Sequence, residues 1–321
     1  LLGVADDGTV VGVKDHNKLK ADVQTTARSA DPPIAVEITI LSDVICINVP
    51  IQSNKPYSFS GKFYLREGAT SQQLTRSEIR SFFHKEGLIQ FDDVPCVNFD
   101  IERDITDENW LQFLRRARMP ESIAMGTALQ NLHLVKNGEI LNAGGWLLCE
   151  DIKGVTISAS VICSLFRGTD KVHILDRKEF CGDLYSIYEE CMQYIQSKLN
   201  TAMIPTAFGR DDVLELPEEA IREAVINAIV HKDYRSTGNV HVHIYHDRID
   251  IVTPGGLPAG MRKEDLGIKS IPRNPLLFGM FHRMKLVEQI GSGVKRIREL
   301  CEEYGVEQPD YDISEHWVTT T

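Results

Sequence analysis

The chain has 321 residues, 42% of them hydrophobic and 25% charged, and a formal net charge of −11. This is the balance of a globular chain long enough for two or three domains, and its acidity excludes a broadly basic nucleic-acid-binding surface. No apolar run reaches the length of a membrane span, no signal peptide is visible, and seven cysteines without a C-x-x-C pair fit neither a disulfide framework nor a zinc ribbon. A cytoplasmic protein with no membrane contact is expected.

In chain order, residues 1–13 alternate around Asp7-Gly8, which predicts a β-hairpin. The chain starts abruptly inside that pattern, so an N-terminal part is expected to be missing. Pro32-Pro33 interrupts the chain before residues 34–49, whose apolar positions predict two strands turning at Ser42-Asp43. Residues 50–56 read as a loop and 62–67 as a further strand. Thr75-Arg76-Ser77-Glu78 has the form of a capping box, in which the Thr and Glu side chains satisfy free N–H groups at a helix start. Ile79, Phe82 and Phe83 supply that helix's buried face and Gly87 its end.

The acidic stretch 100–109 reads as a boundary. Trp110, Phe113, Leu114 and Ala117 then mark a helical face that Pro120 ends. Gly144-Gly145 leads into an apolar run, 146–149, read as a strand, and 155–166 reads as a strand pair. From Leu184 the apolar positions Ile187, Tyr188, Cys191, Ile195 and Leu199 recur at helical spacing, which makes the tyrosines there core residues.

Residues 217–235 form the centre of the pattern. Apolar side chains occupy nearly the whole circumference of the predicted helix, so it is buried. Within it Glu223, Asn227 and His231 recur at every fourth position and lie in one narrow stripe. A buried carboxylate, amide and imidazole need partners, and three in register point to a ligand pocket. Beyond the helix, 239–245 alternates as a strand, with Val240, Val242 and Ile244 on one side and His241 and His243 on an exposed face. Asp247-Arg248 turns the chain, and 249–252 returns to end sharply at Thr253-Pro254-Gly255-Gly256, where backbone can approach a ligand closely. Residues 273–277 precede a helical stretch, and Gly291-Ser292-Gly293 opens 294–304 as a helix start suited to phosphate. The chain stops in a predicted strand, 316–321.

The spacing E-x-x-x-N-x-x-x-H resembles the N-box helix of the gyrase, histidine-kinase and MutL-type ATPases. The resemblance implies ATP and Mg²⁺ as ligands, with Asn227 holding the metal and Glu223 activating water as general base. It extends the nucleotide site to His231, Thr253, Gly255, Gly256, Gly291 and Gly293. Typical members carry D-x-G-x-G where this chain has Thr253-Pro254-Gly255-Gly256, so the carboxylate that reads the adenine amino group is replaced and hydrolysis is left open.

LLGVADDGTVVGV and FYLREGATSQQLTRSEI resemble the later part of the Schlafen-type Alba-like domain, a DNA- or RNA-associated module, which implies a phosphate contact for Arg66. The early part, where nuclease relatives carry catalytic acids, does not occur in this sequence, so no nuclease role is implied. With ILDRKEFCG, LPEEAIREAVINAIVHKDYR, DRIDIVTPGGLP, IPRNPLL and VEQIGSGVKRIRELC in that order, the chain resembles a group of transcriptional regulators with a RecG-related C-terminal part. There is no G-x-x-x-x-G-K-[ST] loop, so no unwinding activity is implied.

The fold expected is α/β (α+β): an Alba-like module over 1–92, a mixed connecting region over 93–200, and a gyrase/histidine-kinase-type α/β sandwich over 201–321. A winged helix of the kind such relatives carry would lie beyond the last residue. The function expected is that of a DNA-associated transcriptional regulator, acting as a homodimer, whose C-terminal module senses a nucleotide. A Mg²⁺-dependent ATPase and a degenerate structural or dimerisation module are the alternatives.

Overall fold

The computed structural model describes residues 1–321 except 51–55, 68–69, 86–88, 157, 207–208, 259 and 288–292. The chain divides into two compact units, Leu1–Leu88 and Ile89–Thr321.

In the first unit the predicted turn at Ser42-Asp43 joins strands Glu37–Leu41 and Val44–Asn48, paired from Leu41↔Val44 outward. A separate four-stranded sheet has the order Ala30–Asp31, Ser58–Phe59, Lys62–Glu67, Thr70–Gln73. The capping box forms: Thr75 N–H donates to Glu78 Oε2 at 2.7 Å and Glu78 N–H to Thr75 Oγ1 at 3.4 Å, at the head of helix Arg76–Lys85. Its end at Gly87 and the loop 50–56, except at its margins, lie outside the described residues.

The predicted N-terminal hairpin is only a turn. Ala5 and Thr9 close it, Val4 bridges Val10, and the ladder stops there, because Val11 and Gly12 both donate to the Gly3 carbonyl and Leu2 bridges Ile45 instead. Gly3 and Gly12 take positive φ, 91° and 72°, which turns the chain away from strand geometry. The sequence reading also passed over helix His16–Arg28, whose only buried residue is Ala27; its Asp15 cap accepts from Lys18 N–H at 2.9 Å.

In the second unit six strands form one sheet in the order Ile174–Phe180, Val161–Phe166, Val240–Ile244, Ile249–Pro254, Trp317–Thr320, Tyr311–Ile313. All neighbours are antiparallel except Val161–Phe166 and Val240–Ile244. That parallel pair requires a long crossover, and the crossover carries helix Leu184–Lys198 and the central helix Glu218–His231. The central helix packs on strand Ile249–Pro254, on helix Leu184–Lys198 and on helix Gly293–Tyr304. Enclosed on three sides, it buries Ala220, Ile221, Val225, Ile226, Ala228, Ile229 and Val230. Thus residues from the expected connecting region, 161–180, are hydrogen-bonded members of the same sheet as the C-terminal strands.

Two further expectations need correction. Residues 146–148 belong to helix Asn142–Leu148, buried along its whole length, with Cys149 as its C-cap, and not to a strand. An apolar run of that length has no period to separate buried helix from buried strand. Its glycines allow the packing: a Cβ on Gly144 would lie 2.8 Å from Ile140 Cγ1, and one on Gly145 would lie 2.6 Å from Cys96 Sγ. Among the described residues of 155–166 there is one strand, not a pair; Val155 ends the short helix Ile152–Val155, and Val161–Phe166 pairs with Ile174–Phe180.

A candidate nucleotide pocket

Glu223, Asn227 and His231 are half-buried, as is Ala224, on a helix that buries Ala220, Ile221, Val225, Ile226, Ala228, Ile229 and Val230. They face a cavity of about 140 Å³ that also touches Thr253, Gly255, Gly256 and Gly293. Ala224 and Ala228 lie beside the stripe, and their short side chains leave room for it. Gly291 lies outside the described residues. Arg66 belongs to the first unit, exposed on strand Lys62–Glu67 opposite Ser71.

Within the stripe, Asn227 Nδ2 donates to Glu223 Oε1 at 3.1 Å. The first residue of helix Gly293–Tyr304 presses on both: a Cβ on Gly293 would lie 3.1 Å from Glu223 Cδ and 3.2 Å from Asn227 Nδ2. A carboxylate beside a helix N-terminus is favoured by the helix dipole.

The far end of the stripe is held by Arg273 and Asn274. Asn274, 1% exposed, donates to the Val230 carbonyl at 2.7 Å and to that of Lys232 at 2.9 Å, so it closes the C-terminus of the central helix. Arg273 donates to the His231 carbonyl at 3.1 Å and to the Gly256 carbonyl at 2.6 Å, and lies 3.9 Å from Asp233 Oδ2. Burial, and then the Arg273 guanidinium, lower the His231 pKa to about 4, so its imidazole is neutral at physiological pH.

The glycine turn is tight for reasons internal to the protein. Gly255 has φ 104°, and a Cβ there would lie 2.8 Å from Asp233 Cβ; one on Gly256 would lie 2.5 Å from the Ser314 carbonyl oxygen. Gly255 N–H donates to His316 O at 2.6 Å and Gly256 N–H to Glu315 O at 3.2 Å. The close backbone approach expected of a ligand is therefore made by the 314–316 segment, and the turn meets the cavity from its other side.

Sequence reasoning missed much of the cavity wall. Leu257, Pro258, Met261 and Ile271 come from the segment after the glycine turn, and Phe278 from helix Pro275–Arg283. Lys269 also lines it and is held by Asp265 at 2.8 Å. Tyr311, 6% exposed, lines it from the edge strand, and its hydroxyl has no hydrogen-bond partner among the described residues. Only the apolar composition around the Pro-Gly-Gly turn signalled these residues, and composition does not say which way a loop folds.

As for a metal, among the described residues no group of three or more His, Cys, Asp or Glu side chains could hold one. Mg²⁺ needs fewer: it commonly keeps its waters and takes one or two protein oxygens beside substrate phosphates. The amide oxygen of Asn227 and the carboxylate of Glu223 are hard oxygen donors of that kind, so the residues present fit the ion.

Residues 238–321 match the family model described as "Putative ATP-dependent DNA helicase recG C-terminal", an ATPase-type α/β module. Residues 1–75 match the model described as "Schlafen, AlbA_2". Thr253, Gly255, Gly256 and Gly293 fall inside the first match; the central helix precedes it, and tertiary packing alone brings the stripe against the matched residues. Among solved structures, the DIP2311 protein from Corynebacterium diphtheriae is similar in fold, with a TM-score of 0.61 at 19% identity over 99% of this chain. This chain spans 64% of that protein. No functionally curated protein matches it. Among the described residues no helix is long and apolar enough to cross a membrane.

Proposed function

We propose that the protein is a DNA-associated transcriptional regulator, working as a homodimer, whose second unit binds a nucleotide with Mg²⁺ as a sensor. The observation that carries the nucleotide reading is the convergence of the Glu223, Asn227, His231 stripe with Thr253 and Gly293 around one apolar cavity. Apolar walls suit a flat base, and the Glu223 and Asn227 oxygens at one side suit a metal-bound phosphate. Asn227 would hold Mg²⁺, whose charge would offset that of the phosphates. Glu223 would take a proton from water if turnover occurs. With Thr253 where a carboxylate reads adenine in related ATPases, binding without fast turnover is the expected behaviour.

Thermal unfolding of the full chain, with and without Mg²⁺-ATP, tests this reading. A ligand that binds only the folded state at 100 times its Kd adds about 2.7 kcal/mol. The melting temperature should rise in the parent and not in Asn227→Ala; no rise at millimolar nucleotide defeats the sensor. DNA association draws on the Alba-like match and on exposed Arg66. It predicts DNA binding that weakens steeply as salt concentration rises, and no DNA binding, or an affinity independent of salt concentration, would refute it.

One observation favours the structural alternative. Glu223 and Asn227 bond to each other and pack on Gly293, so the stripe is in part satisfied from within. On that reading Asn227→Ala lowers stability equally with and without nucleotide, and no Glu223-dependent ATP turnover is seen.

A further inference from the structure

A second cavity adjoins the first, sharing Glu223 and Val287 with it, and its lining is of opposite character. Arg222, Lys285, Arg296 and His282 enter it, against the carboxylates of Glu219 and Glu223. Arg222 lies one residue before Glu223 on the central helix, Arg296 sits in the first turn of helix Gly293–Tyr304, and Lys285 follows helix Pro275–Arg283. Two different helices thus bring a guanidinium group to one carboxylate, and the segment after a third helix lines the same place, where a solvated helix face would supply its cations from one element.

The two guanidinium groups meet the protein's own anion. Glu219 Oε1 accepts from Arg222 Nη1 at 3.2 Å, and Glu219 Oε2 lies 3.5 Å from Arg296 Nη2. The second arm of Arg222, Nη2, donates to the Lys285 carbonyl at 3.3 Å, which fixes the guanidinium plane. Two guanidinium groups around one carboxylate are the arrangement that binds a phosphate. The Glu219 side chain is 48% exposed and its partners 31% and 40%, so the pairs are solvent-screened and readily exchanged. A phosphate brings more charge and a third oxygen to the same donors.

We propose that this chamber is the anion-accepting extension of the apolar pocket, and that Glu219 is an internal competitor which a polyphosphate must displace from Arg222 and Arg296. The proposal rests on the nucleotide reading for the pocket beside it. It assigns to Glu219 a restraint on affinity: the site is partly neutralised until an anion of higher charge arrives, so ligands are graded by phosphate number.

The test is calorimetric titration of the full chain with adenosine, Mg²⁺-ATP and inorganic tripolyphosphate, on the parent, Glu219→Gln and Arg296→Gln, substitutions at an exposed and a half-exposed position. The ratio of ATP to adenosine affinity should rise several-fold in Glu219→Gln and fall about 10-fold in Arg296→Gln, the worth of a hydrogen bond to a charged group. Adenosine binding itself should be unchanged in both. An ATP-to-adenosine ratio that is the same in all three proteins overturns the chamber and leaves the base pocket standing. Tripolyphosphate binding that Arg296→Gln abolishes, without adenosine binding, overturns the base pocket and keeps the chamber. Binding of none of the three ligands overturns both.

Discussion

Asn227 donates its side-chain amide to Glu223 Oε1 at 3.1 Å across one helical turn, and Gly293 closes over the pair from a different helix. The two side chains proposed for metal and water are therefore a unit whose geometry depends on the absence of a side chain at 293. Gly293→Ala should push the Glu223 carboxylate away from Asn227. Its expected signature is a lost or reduced melting shift with Mg²⁺-ATP, while the ligand-free stability changes by no more than about 1 kcal/mol. Titration and urea unfolding on one preparation separate the two; an unaltered ligand affinity would show that Gly293 does not position the pair.

Arg273 joins the end of the central helix to the glycine turn through the His231 and Gly256 carbonyls. Removing it strands both acceptors in a part-buried site, so Arg273→Ala should cost about 2–4 kcal/mol in urea unfolding. Arg273→Lys should recover little, because an ammonium does not reproduce the forked donor geometry. Full recovery by lysine would reduce the role of Arg273 to charge alone.

Tyr311 carries a buried hydroxyl with no hydrogen-bond partner among the described residues, and burial raises its pKa to about 12. Tyr311→Phe removes a polar atom that gains nothing in the ligand-free protein. Stability should be unchanged or higher by about 1 kcal/mol. A loss of more than that would mean that the hydroxyl is bonded in solution.

The pH dependence follows from two half-buried imidazoles, His231 and His243, the latter less exposed than its strand alternation implied. Burial, with Arg273 adding to it for His231 and Lys171 for His243, lowers both to about 4, below the unfolded value of about 6.5. Below that value the unfolded chain takes up protons that the folded chain refuses. Each histidine thus contributes stability that is present above pH 6.5 and lost as pH falls toward 4. Asp92 acts with the opposite sign: burial raises it to about 6, although its Oδ2 accepts from Leu276 and Leu277 N–H at 2.8 and 3.1 Å. Its contribution is fullest at low pH and lost as pH rises through 6. His231→Gln should flatten the acid limb of a stability profile, and an unchanged slope would place His231 in contact with solvent.

Much of the local structure was legible in the residues. The alternation of 239–245, the turn at Ser42-Asp43 and the Thr75–Glu78 capping box depend on neighbours a few positions away, and the structure forms all three. The polar stripe on the central helix was also legible, since the helical period alone sets Glu223, Asn227 and His231 on one face. Where information ran out, distance along the chain was the reason. Trp146 reads equally as strand or helix until its stacking on Tyr234, with ring centroids 4.2 Å apart, is known. The pairing of Val161–Phe166 with Val240–Ile244 has no local signal. The space that Gly255 and Gly256 leave is filled by Asp233 and Ser314, which only the closed sheet brings there. The meeting of Arg222 and Arg296 at Glu219 was likewise decided by the packing of two helices distant in sequence. Periodicity specifies which side of an element is polar; what that side meets is set by long-range packing, which the residues of the element do not encode.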